Sequence, residues 1–189
     1  DIDLDGDLDL FIGENYGKIF FYENTGNQFD FNYSLISSDF SNIDVGYRSA
    51  PTFADLNLDS KNEMFVGSNN QGIQVYNKRP SNIMPEFSLN ECVNMPYLGL
   101  NTKPDLYYSD GDLLMLTGLS TGGLFHLRYE IDLLGDVNQD SVLNIQDIII
   151  IINYIIMVGA DVDYCVADIN YDSYVDLLDI IHMVGLLSD

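Results

Sequence analysis

The stretch Gly135–Gly159, GDVNQDSVLNIQDIIIIINYIIMVG, opens on alternating Asp and Asn and closes on a run of isoleucines. The same order returns at Ala167–Leu187, ADINYDSYVDLLDIIHMVGLL. Alignment places Asp136, Asn138, Asp140, Asn144 and Asp147 against Asp168, Asn170, Asp172, Asp176 and Asp179, 32 residues apart. These are positions 1, 3, 5, 9 and 12 of an EF-hand loop, in which position 7 offers a backbone carbonyl, here that of Val142 and of Tyr174. Alternating oxygens in a tight turn converge on one point, and Ca2+ takes about six to eight of them at roughly 2.3–2.6 Å. The apolar half then reads as the helix leaving each loop. One is expected from Asp147, whose carboxylate suits a helix N-terminus, to a cap at Gly159, and the other over about Leu177–Leu187. The segments ahead of the loops, YEIDLLG and DVDYCVA, are too short or too β-like for an entering helix. Ser141 and Ser173 stand at position 6, where a positive φ favours glycine, at a strain on the order of 1 kcal/mol each.

The N-terminal part carries a related loop on strands instead of helices. DIDLDGDLDLFIG sets Asp1, Asp3, Asp5 and Asp9 around Gly6, with the Asp7 carbonyl as a further oxygen, and runs into an apolar strand ending at Gly13. FADLNLDSKNEMFVG repeats this with Asp55, Asn57, Asp59 and Glu63, Lys61 at the Asp7 offset, and Gly67 in the place of Gly13. A second strand follows each, with Tyr22 and Tyr76 nine residues after the glycine. A third copy, YYSDGDLLMLTGLSTGGLFHLRY, keeps that spacing at Gly118 and Leu127 but retains little of the acid set beyond Asp110 and Asp112. A period of roughly 50 residues, each holding several short strands, points to propeller blades or another repeat array.

Residues 1 to about 130 resemble the FG-GAP or VCBS repeats of secreted and cell-surface β-propellers, whose blades carry D-x-D-x-D-G-x-x-D loops. NIDVGYRSAPTFADLN is similar to the lead-in of such a blade. Residues 135–189 resemble the dockerin module of secreted polysaccharide-degrading systems. The expected fold is therefore multidomain α and β: partial β-propeller-like antiparallel blades over 1–131, about two and a half to three repeats, then a small all-α dockerin or EF-hand-like module over 132–189. A closed propeller uses about four to eight blades, so further blades are expected upstream of Asp1. The resemblance implies Ca2+ in the four loops and a cohesin-type protein partner met by Ile145, Gln146, Ile152, Leu177 and Leu178. Dockerins carry small or polar residues at loop positions 10 and 11, so this partner face is expected to be more apolar. It also implies a secreted or cell-surface location, with a carbohydrate or cell-surface ligand for the propeller.

Thirty acidic residues against seven basic ones give a net charge of −23, which repels nucleic acid and anionic lipid. The longest apolar run, Ile148–Gly159, contains Asn153 and falls short of the ~20 residues that span a bilayer. Cys92 and Cys165 have no metal-ligand spacing; two buried free thiols are expected, with a single disulfide as the alternative. His126 and His182 sit in apolar contexts and are expected to be packed. No G-x-S-x-G motif occurs, and the clustered carboxylates are already assigned to cations, which leaves no acid pair for glycoside hydrolysis. Three readings compete: a non-catalytic calcium-dependent assembly module, the C-terminal part of a secreted glycoside hydrolase with its catalytic domain upstream, and a surface adhesion protein whose paired loops are a purely structural calcium staple.

Overall fold

Three hairpins of one register organise the N-terminal part. β1 (Leu10–Gly13) pairs with β2 (Ile19–Asn24), β5 (Glu63–Gly67) with β6 (Ile73–Arg79), and β9 (Asp112–Gly118) with β10 (Leu124–Tyr129). In each, the closing glycine faces the first residue of the return strand: Gly13 opposite Ile19, Gly67 opposite Ile73, Gly118 opposite Leu124. The spacing from glycine to Tyr22, Tyr76 and Leu127 is thus a register, for these residues lie opposite Leu10, Met64 and Met115. The computed structural model describes residues 1–57, 61–79, 85–93, 95–129, 134–156, 161–172 and 174–187.

The hairpins extend into three antiparallel sheets. β3 (Tyr33–Ser37) follows β2; β4 (Ala50–Ala54) precedes β5 and β7 (Glu86–Leu89) follows β6; β8 (Lys103–Ser109) precedes β9. The protein is therefore mostly antiparallel β-sheet with a few short helices, as a β-rich repeat domain requires. Every residue of β5 is buried, so this strand is covered on both faces, while β9 alternates with Leu113, Met115 and Thr117 inward. Between the first two sheets, Phe11 meets Phe21, Phe40 and Phe53 at ring-centroid distances of 4.8, 5.1 and 4.9 Å, and Phe87 closes on Phe40 at 5.8 Å. Aromatic and β-branched side chains suit a pleated, half-buried surface, which is why these short segments become strands.

The chain divides into two compact units, Asp1–Ala54 with Asn62–Tyr129 and Asp55–Lys61 with Glu130–Asp189. The second holds α1 (Ile145–Ile155), the single turn α2 (Tyr164–Ala167) and α3 (Leu177–Leu186). Leu134, Ile148, Ile151, Ala167, Ile169 and Met183 form its buried apolar cluster.

Several expectations need correction. α1 begins at Ile145 rather than at Asp147, because Asn144 is the N-cap and Asp147 is the third helical residue whose carboxylate reaches back to close a capping box. Its C-cap is Ile156; Gly159 lies outside the described residues. An entering turn does precede the last loop: the Asp163 carboxylate caps α2 through the Cys165 amide, a start signal hidden inside DVDYCVA. Neither cysteine is a buried free thiol: Cys92 and Cys165 are exposed and both are disulfide-bonded. Sequence separation carries no information about either property. His126 and His182 are exposed rather than packed, His126 against the Tyr107 hydroxyl and His182 against the Leu178 carbonyl, both at their outward positions on a strand and a helix.

Candidate cation-binding loops

One hydrogen-bond pattern builds the loop before β1 and both loops before α1 and α3. The position 5 amide donates to the position 3 side chain: Asp5 to Asp3 at 3.3 Å, Asp140 to Asn138 at 2.9 Å, Asp172 to Asn170 at 2.9 Å. The position 7 amide donates to the position 5 carboxylate, Asp7 to Asp5, Val142 to Asp140 and Tyr174 to Asp172, at 3.0, 2.9 and 2.9 Å. The position 6 amides of Gly6 and Ser141 reach the first acids, Asp1 and Asp136, at 3.2 and 2.7 Å. Each acid thereby turns its own chain, and in the last loop Asp168 and Asp172 also accept from the Tyr164 hydroxyl and the Asn170 side-chain amide, at 2.9 and 3.0 Å.

The backbone bends that make this possible lie at positions 4 and 6. Gly6 and Ser141 have positive φ, and so do Leu4, Gln139 and Tyr171. The strain at Ser141 was legible from the motif; that at position 4 was not, because no glycine marks it. Ser173 and Asp59 lie outside the described residues.

A closing acid ties the loop ends together. Asp9 accepts from the Ile2 and Asn24 amides at 3.0 and 2.9 Å, so it joins the loop to the end of β2. Asp147 accepts from the Asn138 and Asn144 amides, and Asp179 from those of Ile169, Asn170 and Asp176. Asp147 and Asp179 are fully buried, and Asp136 and Asp168 nearly so. Burial pushes the Asp179 carboxyl above its ordinary value against the lowering effect of its amide donors. The Val142 carbonyl accepts from the Asn144 side chain at 2.8 Å while the other Asn144 atom caps Gln146, and Asp176 caps Leu178 in the same way.

In the first loop Asp1, Asp3 and Asp5 each bring a carboxylate oxygen within 4.8 Å of the others. Asp7 contributes more than the expected carbonyl: its side chain is 6% exposed, and its Oδ1 has no hydrogen-bond partner among the described residues. Burial, then Asp5, Asp9 and Asp3, push its carboxyl up, while Asn24 lowers it. Three converging carboxylates could hold a hard cation, an all-oxygen donor set that suits Ca2+, while Asp7 stands outside that converging group. Asn24, 15 residues beyond Asp9, has no signal in the motif; only the β1–β2 register places it here.

The second strand loop differs from the first in burial and charge. Asn57 and Glu63 are buried, Asp55 is half-buried and Lys61 exposed. The Asn57 side-chain amide donates to the Tyr171 hydroxyl, which draws this loop to the last helix loop. Lys61 occupies the place of Asp7, so this loop carries less negative charge than the first. The expected partner residues Ile145, Gln146, Ile152, Leu177 and Leu178 are all exposed.

Residues 130–189 contain twelve acids and no Lys or Arg; all seven basic residues stand before that point.

The family model of the FG-GAP-like repeat matches residues 1–81. That span contains both strand loops and the first two hairpins. No curated protein and no solved structure matches the chain. Among the described residues no helix is long and apolar enough to cross a membrane.

Proposed function

We propose that the chain is a calcium-dependent, non-catalytic assembly module of a secreted protein, in which the two helix loops and their helices act as a dockerin that docks to a cohesin-type partner. The single observation that carries this reading is the set of nearly or fully buried carboxylates, Asp136 and Asp147 in one loop and Asp168 and Asp179 at the same places in its copy. Several carboxylates gathered in one short loop repel one another, at a cost that grows as they are buried, and a bound divalent cation offsets that repulsion. In each loop Asp136 or Asp168, Asn138 or Asn170 and Asp140 or Asp172 would hold the ion, with Asp147 or Asp179 closing the site as its helix starts. Calcium binding then becomes folding free energy for a core of only a few aliphatic side chains.

The exposed Ile145, Ile149 and Ile152 on α1, Ile156 at its C-cap, and Leu177, Ile181 and Val184 on α3 support a protein partner, because a small module that exposes this many large apolar side chains favours covering them. Bonded cysteines suit an oxidising, extracellular setting. The Asn57–Tyr171 hydrogen bond favours the structural-staple reading as the alternative, with the module held against the second strand loop. Far-ultraviolet circular dichroism of the whole chain in calcium and in chelator, followed by titration with an immobilised cohesin domain, tests the proposal. Helicity that needs calcium together with cohesin binding supports it; unchanged helicity in chelator overturns the calcium role, and calcium-dependent helicity without cohesin binding leaves the staple.

A further inference from the structure

The first two hairpins are each clamped in one way by the strand that opens the next sheet. At the first, the Ser49 amide donates to the Glu14 carbonyl at 3.1 Å, the Glu14 amide donates to Ser49 Oγ at 2.8 Å, and Oγ donates to the Lys18 carbonyl at 2.6 Å. At the second, Thr102 makes the same three bonds to Ser68 and Gly72, at 3.0, 3.1 and 2.9 Å. Two residues further on, Pro51 and Pro104 lie over the closing glycine. A Cβ on Gly13 would stand 2.0 Å from the Ser49 carbonyl oxygen and 2.8 Å from Pro51 Cδ; one on Gly67 would stand 2.2 Å from the Thr102 oxygen and 2.5 Å from Pro104 Cδ. The absence of a side chain at these glycines is thus a packing requirement.

The third hairpin has the same length, with Gly118 opposite Leu124. Among the described residues a Cβ on Gly118 would nevertheless meet nothing within 4 Å, and Leu124 and Phe125 beside it are 67% and 43% exposed. The chain has no third donor to offer: its five prolines follow Ser49, Lys78, Ile83, Asn94 and Thr102 at two residues, and the Ser and Thr are the two already engaged.

We propose that the hairpin Gly118–Leu124 is an open acceptor for the first strand of a further FG-GAP-like repeat, entered by a Ser/Thr-X-Pro sequence. The hydroxyl residue pairs with Leu119 and Gly123, as Ser49 does with Glu14 and Lys18, and the proline covers Gly118. This surface is independent of the calcium reading, since it uses no carboxylate.

The probe is a synthetic peptide of residues 46–54, GYRSAPTFA, titrated into the full chain with the backbone amides followed by NMR. Saturable shifts centred on Leu119–Gly123 are expected, about fivefold weaker for the Ser49→Ala peptide, which loses one hydroxyl hydrogen-bond pair. The chain variant Gly118→Val should keep its own spectrum, because no described residue stands within 4 Å of the added Cβ, and lose the response. No saturable shift at this hairpin, equal binding by the Ser49→Ala peptide, or an unchanged response in Gly118→Val would each overturn the proposal. The peptide comparison stands even where the chain variant fails to fold.

Discussion

The loop before β1 and the loops before α1 and α3 share their turn hydrogen bonds, yet they stand on different foundations. Asp1–Asp9 leads into sheets whose core holds Phe21 and Phe40 almost fully buried, with Phe11, Phe53 and Phe87 against them. Among the described residues, Asp136–Asp147 and Asp168–Asp179 rest on a cluster of six buried apolar residues with seven partly buried ones against it, and bury four carboxylates beside them. On the proposed reading, an aromatic core of interlocked sheets is expected to hold with its loop empty, whereas the helix module is expected to need the ion. The proposal thus makes the same local turn dispensable in one region and a condition of folding in the other.

Chelation should separate the two regions most sharply. Removing calcium from the whole chain is expected to abolish the helical signal of α1 and α3 while the β signal and the protection of β5 amides persist, as read by circular dichroism and hydrogen exchange. Simultaneous loss of both would mean that the sheets also depend on their loops. Next in size, Asp179→Ala leaves the Ile169, Asn170 and Asp176 amides without their acceptor, at about 2–4 kcal/mol in calcium. Asp9→Ala frees only two amides and should cost about half as much. Equal losses in denaturant melts would erase the proposed difference.

Within the sheets, Gly67→Val should cost about 1–3 kcal/mol, since a backbone carbonyl stands where its Cβ must go. Gly118→Val should stay within about 0.5 kcal/mol of the parent chain. Thermal melts of the two variants measure the contrast between an occupied and an open junction.

The pH response has opposite signs with and without the ion. Burial raises the Asp179 carboxyl in the folded module, so in chelator the folded state holds a proton that the unfolded chain releases. Stability then falls as pH rises from the ordinary carboxylate value through the raised one, and acidification should recover part of the helix. In calcium the proton competes with the cation, and the same acidification should weaken the module. Helicity that falls on acidification in chelator would contradict the burial argument.

Much of this was legible in the residues because loop chemistry is local. Asp136 to Asp147 and their copy 32 residues on announce both the turn and the helix start, and the glycine spacing announces three hairpins. What escaped was set by tertiary register. The burial of the Asp7 side chain depends on the end of β2 returning to the loop, and the exposure of His126 on which face of β10 turns outward. The bond from Asn57 to Tyr171 joins residues 114 apart, a relation no motif encodes. The Cys92 and Cys165 bonding was open for the same reason.

The smallest expected effect on stability carries the sharpest consequence for the partner. Ile145 and Leu177 are 68% and 64% exposed, and each is the first residue of its helix, after the N-caps Asn144 and Asp176. Asp at that position faces the positive end of the helix dipole, which offsets its lower helix propensity and the added repulsion within an acidic loop. The double variant Ile145→Asp with Leu177→Asp should therefore melt within about 0.5 kcal/mol of the parent chain in calcium. A cohesin-type partner that covers these side chains would instead have to bury two carboxylates where it expected hydrocarbon, and binding should disappear. Unchanged stability with lost binding places both residues on the docking face. A large loss of stability would assign them to the module's own core, and the helices would then be greasy for their own packing alone.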